Sequence, residues 1–145
     1  MSLSTFGAIM GFAAEMVEQT EGVYKAMVEK VKNTALKDTL QSLLSEAQKN
    51  YSLMEQTRRE NVTEMILEPI EGFKKEDYKF GISPVDSMDD TDLLKSALFL
   101  EEKAKKFFQD ASVKIPLPEV SRIFRKIAQR KEKNIEHLQS LRLTA

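Results

Sequence analysis

The chain has no cysteine. That removes disulfides, thiolate metal sites, iron–sulfur clusters and cysteine nucleophiles together. It also fits a reducing compartment, and the expected location is cytoplasmic. Glycine and proline are scarce, 5 and 4 in 145 residues, which argues against disorder and against a many-turned β fold. No apolar run reaches the roughly 18 residues that a membrane-spanning helix needs. No sign of charge prevails: 22 basic and 23 acidic residues leave −1, so no bulk field draws nucleic acid or a membrane surface. Histidine occurs once, at His137. No glycine-rich phosphate loop, Ser–His–Asp set or basic aromatic patch is present.

What is there is helical patterning in a chain of one-domain length, 41% hydrophobic and 31% charged. The whole of 1–145 is expected to form one domain. The opening stretch lacks a basic leader and meets acids at Glu15 and Glu18, so it is expected to be a helix rather than a signal peptide. Helix one is expected from Ser4 or Thr5 to about Lys32, with its seam at Met10, Ala13, Val17, Thr20, Tyr24, Met27 and Val31. Steps of three and four keep one helical face inward. After Asn33-Thr34, helix two carries Leu36, Leu40, Leu43, Ala47, Asn50 and Met54. The short joint predicts an antiparallel pair over 5–59.

Over 61–89 the pattern fails, with Pro69, Gly72, Gly81 and Pro84 as punctuation. Met65, Ile66, Leu67, Phe73, Tyr78 and Phe80 are nevertheless too apolar for a free linker. An ordered crossover lying along a bundle is expected. Helix three opens in Met88-Asp89-Asp90-Thr91-Asp92 and runs through Leu94, Ala97, Glu101, Ala104, Phe108, Ala111 and Ile115. Pro116 and Pro118 end it, and helix four follows through Val120, Phe124, Ile127, Lys131, Asn134, Leu138 and Leu141. The second pair is expected over 90–143.

Laid over itself so that Tyr24 meets Phe108 and Asn50 meets Asn134, the chain falls into two halves with a shared apolar phase. A duplicated helix pair is the natural reading. Glu101 and Lys131 break the seams with charge, which is costly in a core unless paired.

The two helix pairs, the aromatic spacing and the stretch Leu100-Glu101-Glu102-Lys103-Ala104-Lys105-Lys106-Phe107-Phe108 resemble rubrerythrin and the wider ferritin-like group. The resemblance implies an all-α, ferritin-like four-helix bundle of two antiparallel helix pairs joined by a long crossover. It also implies a di-iron site built from a Glu on helices one and three and Glu-x-x-His on helices two and four. The family positions fall here on Val17, Ala47, Asn50, Glu101, Lys131 and Asn134. Only Glu101 keeps a family ligand, and the absence of cysteine excludes a rubredoxin module.

No metal site is therefore expected to be intact, no cofactor is predicted and no residue is assigned a catalytic role. Lys131 is expected to pair with Glu101 in the core, with Asn50 and Asn134 as hydrogen-bonding neighbours. Glu18, Glu46, Glu102 and Glu132 lie one residue off the seams. A step of one turns a helical side chain by about 100°, so these acids are expected on a solvated rim, and His137 on a flank. The expected function is a non-catalytic binding or scaffold protein with a small-molecule or protein partner. The alternative is a metal-binding oxidoreductase or iron handler, with iron or another divalent metal in a shifted or reduced site. A second apolar stripe, Ile9, Met16, Val23, Leu93, Leu100 and Phe107, with Leu98 and Phe99 beside it, suggests a homodimer unless the crossover covers it.

Overall fold

The Thr5 side chain accepts a hydrogen bond from the Ala8 backbone N–H at 3.0 Å and opens α1, Phe6–Lys30. Asn33 does the same for Leu36 at 2.9 Å and opens α2, Thr34–Glu60. Asp89 and Asp92 cap each other reciprocally at the start of α3, Asp90–Lys114. Pro118 stands in the first turn of α4, Pro118–Ser140, where its missing N–H costs no helical bond. Each side-chain cap satisfies an otherwise orphaned donor and is worth about 1 kcal/mol. The computed structural model describes residues 3, 5–61 and 73–141. Ser4, Met65, Ile66, Leu67, Pro69 and Gly72 lie outside them.

Among the described residues, four α-helices make an all-helical bundle in which α1 packs on α2 and α3 on α4. The joints within these pairs are short, 31–33 and 115–117, and the connection between the pairs is long. Asp90 ties the first joint to the start of α3: its carboxylate accepts from the backbone N–H of Lys32 at 3.0 Å and of Asn33 at 2.8 Å. No described helix is long and apolar enough to cross a membrane.

The part of the crossover described here carries two short 3-10 turns, Lys75–Asp77 and Val85–Ser87. It lies against the bundle as an aromatic plate. The Phe73 ring stacks on Phe107 at 5.9 Å, Tyr78 meets Phe107 edge-on at 5.5 Å, and Phe12 closes on Phe107 at 5.1 Å. The Tyr78 hydroxyl donates to Asp110 at 2.7 Å. Burial, then the bond and charge of Asp110, push the Tyr78 pKa well up.

This plate decides the fate of the second stripe. Ile9, Met16, Leu93, Leu100 and Phe107 are all buried within one chain. Val23, Leu94 and Leu98 are half-buried, and Phe99 is 41% exposed. The stripe is thus largely covered from inside, because the crossover brings its own aromatics.

Two apolar clusters fill the bundle. One gathers Phe6, Met10, Met54, Phe107, Phe108 and Phe124. The other gathers Met27, Leu36, Leu40, Leu93, Ala97 and Leu138. In sequence Glu46, Glu101 and Lys131 fall between the helix segments that build these two clusters.

Candidate functional site

All four helices send a polar group to one place. The α4 side chain Lys131 reaches inward with only 4% of its surface exposed, and its Nζ donates to Glu101 Oε2 at 3.2 Å and to Glu46 Oε2 at 3.0 Å. Glu101, from α3, has no exposed side-chain surface. Tyr24, from α1, donates its hydroxyl to Glu101 Oε2 at 2.6 Å. Asn134, one turn along α4 from Lys131, donates its amide to Glu101 Oε1 at 2.8 Å and to Glu46 Oε2 at 2.9 Å. Arg130 closes the outer side, its Nε donating to Glu46 Oε1 at 2.9 Å.

Every oxygen of both carboxylates thereby accepts at least one bond. Among the described residues no buried side-chain nitrogen or oxygen lacks a partner. This completeness matters, because removing an ion from water costs several kcal/mol that only good pairing and hydrogen bonds offset.

The protonation states follow from the geometry. Burial works against the charge on Lys131, but the two carboxylates outweigh it and hold its pKa above the ordinary lysine value. Burial likewise works against the Glu46 charge, yet Lys131 and the bonds from Asn134, Lys131 and Arg130 hold its pKa below the usual carboxylate value. Burial, then the Glu101 carboxylate, push the Tyr24 phenol well up, so it stays a neutral donor.

The structure brings Glu101, Lys131 and Asn134 together and adds the seam residue Tyr24 and two off-seam residues, Glu46 and Arg130. Glu46, expected on a solvated rim, is instead 14% exposed and shares the ammonium of Lys131. The physical reason is reach: two methylenes and three rotatable torsions carry a glutamate carboxylate back across the face that its Cα leaves. Tyr24 was placed as an aromatic, but its hydroxyl is the shortest bond to Glu101. Arg130, 60% exposed, flanks the cluster. A signal for the last pairing was present, since Glu46 and Arg130 occupy equivalent positions in the two halves with opposite charges.

Asn50, expected among the cluster's neighbours, does not join it. It is half-buried and makes no hydrogen bond to either carboxylate. Asn134 already supplies that amide, so no acceptor is left unfilled for Asn50. Val17 and Ala47 are buried and offer no donor atoms. Of the other off-seam acids, Glu18 and Glu102 are exposed and Glu132 pairs with Lys105 at the surface. His137 is exposed, its Nε2 3.0 Å from the Thr39 hydroxyl.

This donor set does not suit a di-metal centre. Among the described residues no three His, Cys, Asp or Glu side chains converge to hold an ion. The space between the two carboxylates holds an ammonium covalently tethered to the chain. The chain matches no family model, no curated protein and no solved structure.

Proposed function

We propose that this is a ferritin-like, rubrerythrin-like bundle of two antiparallel helix pairs. In this reading Lys131 stands where the family holds metal, and the protein acts as a non-catalytic binding or scaffold protein in the cytoplasm. One observation carries it. Lys131 Nζ lies 3.0 Å from Glu46 and 3.2 Å from Glu101, so the two carboxylates share a cation that can neither change valence nor exchange. A ferroxidase or peroxidase cycle needs bound ions with open coordination positions. A fully bonded lysine supplies neither. The positions Val17 and Ala47, occupied by buried apolar side chains, support the same reading.

The test is metal content. Protein made in medium supplemented with iron and manganese is expected to carry far less than one metal per chain, and added ferrous or zinc ions are expected to leave its melting temperature unchanged. Stoichiometric metal that is lost in Glu101→Gln would overturn the proposal and favour the iron-handling alternative. Of the second stripe, Phe99, Leu98 and Val23 remain as apolar ground for a homodimer. Light scattering that shows a monomer at high concentration would remove it.

A further inference from the structure

On the face where α2 and α4 meet, a groove of about 320 Å³ opens beside the buried cluster. Asp38, Thr39 and Ser42 line it from α2, and Arg130, Lys133 and His137 from α4. We propose that this groove binds a small free oxyanion, a carboxylate or a phosphate, at its Arg130–Lys133 end.

Arg130 is the anchor. Its Nε is spent on Glu46 Oε1 at 2.9 Å, which fixes the plane of the guanidinium. The side chain is 60% exposed, and its two terminal nitrogens bond no other described residue. A planar fork with two parallel donors matches a carboxylate or a phosphate edge. The positive charge is not consumed by Glu46 alone, because that carboxylate is already shared by Lys131 and Asn134.

Lys133 adds a second cation one turn away; it is exposed and forms no ion pair among the described residues. Ser42 brings a hydroxyl from the opposite wall. At the far end the proton accounting fixes the imidazole. The Thr39 hydroxyl has one proton and donates it to the Ala35 carbonyl at 3.0 Å. His137 Nε2, 3.0 Å from the same oxygen, is therefore the donor of that contact. This bond braces α4 against α2 beside Asp38, the one acid of the lining. Asp38 repels an anion from its own end and so sets the polarity of the groove. The volume lies at the lower limit of the roughly 300–1,000 Å³ typical of small-molecule sites, which suits a free metabolite rather than a macromolecule.

The groove and the axial cluster are tested separately, since metal content bears on the cluster and anion titration on the groove. The titration follows backbone amides by two-dimensional NMR as sodium phosphate, sodium acetate or sodium chloride is added at matched ionic strength. Saturable shifts confined to the neighbourhood of Ser42, Arg130 and Lys133 are expected with phosphate or acetate and not with chloride. The arm that binds tells a tetrahedral from a planar ligand. Lys133→Gln, an exposed change outside the buried cluster, is expected to weaken binding about tenfold, the loss of one charge-assisted bond. Asp38→Asn is expected to strengthen it several-fold. Shifts that chloride reproduces, shifts spread over the surface, or unchanged affinity in Lys133→Gln would overturn the proposal.

Discussion

At equivalent positions the two helix pairs carry Val17 and Glu101, Ala47 and Lys131, Tyr24 and Phe108, Glu46 and Arg130. At Val17 and Ala47 the first pair is small and neutral where the second carries Glu101 and Lys131, whereas Glu46 and Arg130 are both charged and of opposite sign. Both nevertheless end in one cluster, because Tyr24, seven residues after Val17, and Glu46, next to Ala47, reach it. The asymmetry keeps the buried charges balanced. A second lysine in place of Ala47 would bring a like charge toward Lys131, and a second glutamate in place of Val17 would add a third buried anion.

The difference is easiest to break at Lys131. Lys131→Met leaves Glu101 buried with hydrogen bonds but no cation, and is expected to cost about 3–5 kcal/mol in urea unfolding. Tyr24→Phe makes the first half copy Phe108 and deletes one bond to a carboxylate. It is expected to cost about 1–3 kcal/mol, read as a lower urea midpoint at unchanged slope. If the cost is negligible, the phenol is packing rather than pairing.

A more gradual response is expected with pH. Glu46 has a lowered folded pKa, so its contribution is present above the unfolded glutamate value of about 4.3 and is lost as pH falls through the folded one. Lys131 and Tyr24 have raised folded pKa values. Their contributions are complete below the unfolded values of about 10 and are lost as pH rises through the folded ones. Melting temperature should hold a plateau between these limits and fall on both sides. In Lys131→Met the lysine part of the alkaline fall should vanish. The smallest effect belongs to Arg130→Gln, expected to cost less than about 1 kcal/mol because the guanidinium is 60% exposed and solvent screens it.

The fold was legible where periodicity carries information. Steps of three and four placed all four helices, and most seam residues are buried. Glu101 and Lys131 were legible for the same reason, as charges at positions that must face inward. Glu46 was not, because seam logic treats a side chain as rigidly tied to its Cα direction, whereas glutamate is long enough to turn back. Tyr24 was placed correctly but only its ring was counted, since periodicity says nothing about where a hydroxyl points. The crossover aromatics signalled order, yet their stacking on Phe107 rests on contacts distant in sequence. Such contacts have no local signature.

Lys131 is the counter-charge of Glu101. Glu46 has Arg130 in reserve, whereas Lys131 is the one cation that the described residues place beside Glu101. A double-mutant cycle in urea unfolding with Glu101→Gln, Lys131→Met and the double change therefore isolates the pair. The double variant is expected to be less destabilised than the sum of the single variants by about 2–3 kcal/mol. Additive costs, with coupling near zero, would contradict it.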